Sequence, residues 1–425
     1  MIIIDKKLEE LEKKGKPIRV GLIGAGFAAR GFANQLLSAV TGMRLSAISN
    51  RNVKNAQVAY TESGLKKVKK VTNQKELSEA ISKGIPAITD DPLLLCQNKA
   101  IDVIVEATGE VEFGAKVIFE AIKNKKHVVL INAELDSTLG PILKKYAEKA
   151  GVVYTQADGD QPAVMMNLYR EVKSLGFKPV MAGNIKSLID HYRTPLTQAK
   201  FAREHFQRPK MITSFADGTK ISFENATVAN ATLFRVGKRG MYGPKCEFVT
   251  DALNLFPKQK LLGGGLIDYI LGAEPSFGVF ILGFTKDPIK RKYMKVYKMG
   301  DGPFYVFYRP YHLSPLEAPL SVARAYLFKD AALSPLGKSI CDVITVAKKD
   351  LKKGEVLDGI GGFTCFGDIE NTDVLLKENL LPMGLSEDCV LVKDISKDQP
   401  ISYNDVIIPK NRLSDKLRKE QDKLP

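Results

Sequence analysis

Ile18-Arg19-Val20-Gly21-Leu22-Ile23 is a short, mostly apolar run, and after it Phe32, Ala33, Leu36, Leu37 and Val40 recur at helical spacing. A short apolar run followed by a 3.6-residue period predicts a buried strand leading into an amphipathic helix. The alternation continues down the first third of the chain. Met43 to Ser49 reads as a second strand, and Ile101 to Gly109 as a buried strand ending in a small-residue turn. Val111 to Lys123 reads as a crossover helix, His127 to Glu134 as a strand with a polar tip, and Gly151 to Tyr154 as one more strand. Parallel neighbours require such crossovers, so residues 1–155 predict an α/β domain with a doubly wound parallel sheet.

Asp158-Gly159-Asp160-Gln161-Pro162 breaks this pattern and opens a middle α+β region, residues 156–337. There Ala163 to Leu175 has helical period, and Pro179 to Gly183 reads as a strand feeding a turn that holds Lys186. Thr213 to Ile221 reads as strand, Asp-Gly turn, strand; Phe223 opens a small-residue helix running through Asn230. Phe304 to His312 runs from an aromatic strand into a polar tip. Residues 338–410 show short strands and frequent turns, the texture of a compact β module. The tail, 411–425, is expected to be a solvated helix or frayed end.

Between the first strand and its helix stands Gly24-Ala25-Gly26-Phe27-Ala28-Ala29. Strand, glycine turn and helix together form the context of a dinucleotide fingerprint. Gly24 permits the turn, Gly26 lets backbone approach a pyrophosphate, and Ala29 with Gly31 allows close helix–strand packing. The free N–H groups of Phe27 and Ala28 would face the phosphates. The second strand ends in Asn50-Arg51-Asn52, without the carboxylate that holds the ribose hydroxyls of NAD. Arg51 offers a planar fork for a 2′-phosphate, so NADP is the expected cofactor, with Asn50 assisting. Thr108, Gly109, Asn132 and Glu134 stand at strand carboxyl ends and are expected at the nicotinamide end. Glu134 reads equally well as a cap of the following helix.

Composition narrows the class. The hydrophobic fraction is 44% and the charged fraction 26%, ordinary values for a globular protein. No apolar run approaches the roughly 20 residues needed to span a bilayer, and Met1 to Lys16 is an acidic-basic helical stretch whose apolar run is too short for a signal peptide. Five scattered cysteines without a C-x-x-C suggest neither disulfides nor a zinc knuckle, and fit a cytoplasmic protein. The net charge of +15 comes from dispersed lysine clusters with no basic tail or recognition helix, so no nucleic acid or membrane partner is expected. A small-molecule substrate and a homo-oligomer are.

Gly24-x-Gly26 with Val105-Glu106-Ala107-Thr108-Gly109 resembles the nucleotide domain of homoserine dehydrogenases. Joined to Gly159-Asp160-Gln161-Pro162, Gly183-Asn184-Ile185-Lys186 and Tyr308-Arg309-Pro310-Tyr311-His312, it resembles the 1-deoxy-D-xylulose 5-phosphate reductoisomerase-like oxidoreductases. Asp350 to Leu357 and Leu381 to Leu385 are similar to hallmark segments of the SAF domain that these proteins carry at their C-terminus. The resemblance implies an NADP-dependent oxidoreductase whose middle domain supplies a lysine and carboxylates to a small polar substrate. It implies Lys186 as the proton-transferring lysine, with Asp190 as its candidate partner.

Hydride transfer to a carbonyl needs a donor for the developing alkoxide, and a lysine ammonium or His312 suits that task. Arg193 and Arg309 are candidate anion clamps, and Asp160, Gln161, Glu224 and Tyr308 candidate substrate contacts. A reductoisomerase would also use Mg²⁺ or Mn²⁺, for which Asp158, Asp160 and Glu224 are possible oxygen donors. The favoured expectation is an NADP-dependent reductase or reductoisomerase acting on a small polyhydroxylated, possibly phosphorylated, carbonyl compound. The alternatives are an amino-acid semialdehyde dehydrogenase and a non-catalytic NADP- or carbohydrate-binding sensor.

Overall fold

Parallel strands covered on both faces are apolar along their whole length, and the first part of the chain is built from such strands. The computed structural model describes residues 2–424. The strands are β1 (Ile18–Ile23), β2 (Met43–Ser49), β3 (Lys69–Lys70), β4 (Ala87–Thr89), β5 (Val103–Glu106), β6 (His127–Leu130) and β7 (Tyr154–Gln156). Among the described residues they form one sheet in the order β3-β4-β2-β1-β5-β6-β7, parallel throughout. The winding direction reverses between β1 and β5, the switch point where such folds open a ligand crevice. This is the doubly wound α/β class that the alternation predicts. The compact unit that holds it comprises the chain up to Asp160 together with Leu313–Ser334 and Leu413–Leu424.

The helix Phe27–Ser38 buries Ala29, Phe32, Ala33 and Leu36 against this sheet's core. Full burial of a Phe or Leu side chain contributes about 1.5–3 kcal/mol. Gly31 does not serve the strand as expected. A Cβ there would meet Pro315 Cβ at 2.7 Å, so Gly31 admits the helix Ser314–Ala323. The crossover helix Val111–Lys123 has its expected bounds, and β7 starts three residues later than predicted because Gly151, at φ +73°, still caps the helix Ala133–Ala150.

The second unit comprises Gln161–His312 and Pro335–Arg412. Its larger sheet has the order β11-β10-β8-β9, from β8 (Lys178–Lys186), β9 (Leu266–Leu271), β10 (Gly278–Phe284) and β11 (Phe304–Arg309). β8 and β9 run parallel, and β10 is antiparallel to both of its neighbours. Two antiparallel pairs follow: β12 (Cys341–Ala347) with β13 (Cys365–Asn371), and β14 (Val390–Leu391) with β15 (Val406–Ile407). Lys186 is the last residue of β8 rather than part of a turn.

Two expectations fail here. The stretch Thr213 to Ile221 is not a hairpin: it joins the helices Pro209–Ala216 and Thr219–Thr232, the latter starting before Phe223. Asp217 and Gly218 make the join, because the Asp217 carboxylate accepts the Thr219 N–H at 3.0 Å and Gly218 takes φ +88°. The local alternation of polar and apolar residues misleads because every residue of Thr219–Thr232 is buried, polar ones included.

The tail is also not solvated. Its helix Leu413–Gln421 buries Ser414, Leu417, Arg418 and Gln421 within the first unit. Pro141 sits inside the helix Ala133–Ala150, where a proline disturbs the i→i−4 ladder. Gln421 repairs it: its Oε1 accepts the Ile142 N–H at 3.2 Å and its Nε2 donates to the Thr138 carbonyl at 3.0 Å. Glu112 anchors the other end by accepting the N–H groups of Leu413 and Ser414 at 3.1 and 2.8 Å. Gln421→Ala removes the acceptor of the buried Ile142 N–H, and we expect a loss of about 1–3 kcal/mol, measured as a lowered urea midpoint with early protease cleavage after residue 412.

Candidate functional site

At the switch point the backbone does most of the shaping. Gly24 has φ +107°, its N–H donates to the Ser49 carbonyl at 2.9 Å, and a Cβ there would meet the Ala107 carbonyl oxygen at 2.8 Å. Only glycine lets β1 turn this close to the chain leaving β5. Gly26 is the N-cap of Phe27–Ser38 and has no side-chain cap, and a Cβ on it would meet nothing within 4 Å. Phe27 is exposed and Ala28 half-buried. The uncapped helix start and the open space above Gly26 fit a pyrophosphate.

β2 delivers Asn50 and Arg51 to the same end of the sheet. The Asn50 amide donates to the Asn52 carbonyl at 2.9 Å, and Asn52 caps the next helix by accepting the Lys54 N–H at 3.1 Å. Arg51 is exposed and, among the described residues, has no ion-pair partner. Its guanidinium is available.

The other cofactor candidates converge on one buried carboxylate. Glu106, at the end of β5, accepts the Thr108 N–H at 2.8 Å, the Thr108 hydroxyl, and the Asn132 amide at 2.7 Å. The Asn132 amide also donates to the Glu110 carbonyl at 3.2 Å, and its Oδ1 caps Ala133–Ala150 by accepting the Leu135 N–H at 3.0 Å. Asn132 is the cap, while Glu134 lies buried in the helix's first turn. Burial pushes Glu106 up to about 7, the bonds from Thr108 and Asn132 pull it down, and the Glu134 charge raises it further. Thr108 and half-buried Gly109 are thereby held on a rigid mount beside the glycine turn.

Of the expected oxygen donors for a divalent cation, Asp158 and Asp160 belong to the first unit and Glu224 to the second. Asp158 is neutralised by Arg324, whose Nη1 lies 3.0 and 3.3 Å from its two oxygens, and it also accepts the Ser321 hydroxyl at 2.8 Å. Asp160 is buried in the same unit. Among the described residues no group of three or more His, Cys, Asp or Glu is placed to hold a metal ion.

The second unit carries the lysine cluster. Lys186, at the end of β8, donates to Gln161 Oε1 at 2.6 Å, and its ammonium lies 3.6 Å from Glu224 Oε2. Gln161 opens the helix Gln161–Ser174 and Glu224 lies on Thr219–Thr232, so one strand and two helices position the group. The Lys186 side chain is 19% exposed and that of Glu224 only 5%, so Lys186 is the more accessible member of the pair. Asp190 does not join them. It sits in a surface turn and pairs with Arg193 at 2.9 Å, so the carboxylate beside Lys186 is Glu224. His312 stacks on Phe277 with ring centroids 4.4 Å apart. Tyr308 is exposed, and the Arg309 guanidinium lies 4.3 Å over the Tyr311 ring.

Two buried polar residues on the elements that carry Lys186 and Glu224 were not among the expected site residues. Lys220 is buried four residues before Glu224 on the same helix, hidden by the hairpin reading of that stretch. Asn184 is fully buried two residues before Lys186 on β8. An asparagine within an apolar strand is depleted on propensity grounds and is the signal that could have found it.

Residues 24–156 match the family model for the homoserine dehydrogenase NAD-binding domain, and residues 159–318 the model for the catalytic domain of oxidoreductase DRL. Among curated proteins, the chain is 29% identical over 141 residues to homoserine dehydrogenase of Neisseria gonorrhoeae (strain ATCC 700825 / FA 1090), covering 32% of this chain and 28% of that one. Homoserine dehydrogenase of Methylobacillus glycogenes is 27% identical over 139 residues, 32% of this chain and 30% of that one. The chain thus spans less than a third of the length of these relatives. Among solved structures, a probable dehydrogenase from Thermotoga maritima aligns with a TM-score of 0.38 at 15% identity, covering 63% of this chain and 73% of that one. No helix of the described residues is long and apolar enough to cross a membrane.

The raised Glu106 carboxyl has a consequence for stability. Between pH 4.5 and 7 the folded chain keeps this proton while the unfolded chain has lost it. Its stabilising contribution is therefore complete below about pH 4.5 and is lost as pH rises through 7, on the order of 3 kcal/mol in all. In urea titrations at pH 5 and pH 8, Glu106→Gln should lose less stability across that interval than the wild type does.

Proposed function

We propose that this chain, a homoserine dehydrogenase-like NAD(P) oxidoreductase, uses NADP(H) to reduce a small polyhydroxylated carbonyl compound, with Lys186 as the proton donor. The observation that carries the reading is the Lys186 ammonium held between Gln161 and Glu224. When bound, a reduced nicotinamide supplies the hydride. Gly24, Gly26, Phe27 and Ala28 would seat the pyrophosphate, Arg51 and Asn50 the 2′-phosphate, and Thr108 and Gly109 the nicotinamide end.

Lys186 polarises the substrate carbonyl oxygen and donates a proton to it as negative charge develops. Gln161 Oε1 accepts one ammonium hydrogen and so aims the others. Glu224 balances the charge of the ammonium, which keeps a cation in place on a largely buried strand end. Residues 338–410 we read as a SAF-like module of the second unit, a reading supported by their β texture.

Two substitutions test this. Lys186→Ala should lower kcat by about 10²–10⁴-fold while the dissociation constant for NADPH stays unchanged, as measured by stopped-flow turnover and fluorescence titration. Full activity in that variant removes Lys186 from the chemistry. Arg51→Ala should weaken NADPH binding by about 10- to 100-fold, the worth of hydrogen bonds to a charged group, and leave NADH binding as it was. A wild-type preference for NADH would overturn the 2′-phosphate assignment.

A further inference from the structure

The lysine cluster is surrounded by amide groups that lack partners. Gln161 Nε2, Asn184 Nδ2 and Oδ1, and Asn225 Oδ1 are all buried and, among the described residues, make no hydrogen bond. Buried polar groups are almost always paired, so such a gathering calls for a missing partner.

The groups belong to one place. Asn184 and Lys186 lie two residues apart on β8 and so share a face of the sheet. Gln161 is tied to Lys186 through its other amide atom. Asn225 follows Glu224, and its Nδ2 reaches the Asp268 carbonyl at 3.5 Å, on the β9 residue paired with Gly183 of β8. The orientation of Gln161 is settled by chemistry: only its oxygen can accept from an ammonium, so its NH₂ is the free end. Asn184 is unpaired at both ends, whichever way its amide is turned.

The unmet set therefore contains two donor groups and two acceptors. Carboxylate or phosphate oxygens only accept and would leave both amide oxygens orphaned. An amino-acid ammonium would satisfy those oxygens only by burying a further charge, and the Glu224 carboxylate already faces Lys186. A hydroxyl both donates and accepts, and it is neutral. From this complement we infer that Asn184 is a specificity-determining residue, whose carboxamide reads adjacent hydroxyl groups of an uncharged polyol segment of the substrate. The inference rests on the reductase reading above and names the part of the substrate that the second unit holds. Sites built to bond a hydroxyl reject analogues that lack it, because their own polar groups are then left unpaired.

The test uses the full chain and xylitol, ribitol and D-arabinitol, which carry the hydroxyls but no carbonyl. Each is titrated calorimetrically with and without saturating NADPH, beside its monodeoxy analogues. The expected result is polyol binding that weakens at least tenfold in Asn184→Leu and less in Asn184→Asp, which keeps the acceptors. At least one deoxy analogue should bind tenfold more weakly than its parent to the wild type and equally to Asn184→Leu. Unchanged NADPH affinity and far-ultraviolet circular dichroism show that the variants are folded. Equal polyol binding by wild type and Asn184→Leu, or no polyol binding by the wild type, overturns the inference and leaves buried water as the partner. Failure of the wild type to bind NADPH strikes the cofactor reading instead, and the cofactor-free titrations still decide the role of Asn184.

Discussion

Every residue of the helix Thr219–Thr232 is buried, although more than half of its side chains are polar. Such a helix is stable only if its surroundings answer those groups, because an unpaired buried donor or acceptor costs about 1–3 kcal/mol. The second unit is organised by that demand. The Thr219 hydroxyl accepts the Gly367 N–H of β13 at 2.8 Å, and Asn230 Oδ1 accepts the N–H groups of Ile340 and Cys341 at 2.6 and 3.1 Å. Just before the helix, Asp217 meets the buried ammonium of Lys348 at 2.8 Å, which also donates to the carbonyls of Arg193 and Gly362. Burial pushes the Asp217 carboxyl up, and Lys348 pulls it back toward its ordinary range. The β12–β13 pair is thus bonded to the element that carries Glu224. Asn225 Oδ1, Thr227 Oγ1 and Asn230 Nδ2, left over from this accounting among the described residues, lie on the same helix.

The first unit uses its buried polar groups differently. Glu106 ends a strand whose other positions are apolar, and it fixes Thr108 and Asn132 through three hydrogen bonds. A loop at the carboxyl end of a parallel strand has no ladder of its own, so a side-chain acceptor takes over that duty. The contact between Gly24 and the Ala107 carbonyl then sets the width of the turn from a second direction. The crevice at the switch point is shaped by backbone and by one carboxylate rather than by bulky side chains.

Much of this was legible in the residues. The strand-turn-helix context around Gly24 and Gly26, the crossover helix Val111–Lys123 and the doubly wound class all follow from short-range rules of period and conformational freedom. The family resemblance points to Lys186, and Gln161 and Glu224 stand among the expected substrate contacts. What stayed hidden was their grouping, and with it the exchange of Asp190 for Glu224 as the neighbouring carboxylate. Asp190 is close to Lys186 in sequence, whereas Glu224 arrives on a helix nearly forty residues away.

Local patterning along this chain determined which segments alternate as strand and helix, where backbone must turn without a side chain, and that a nucleotide-type crevice would follow. Those properties depend on a few neighbouring residues and their steric limits. Tertiary packing alone decided that Thr219–Thr232 is a helix, that the last helix docks through Gln421 at the Pro141 interruption, and which polar groups surround Lys186. In each case the deciding partner is remote in sequence, and the free energy comes from burying and pairing groups whose own local preferences point elsewhere.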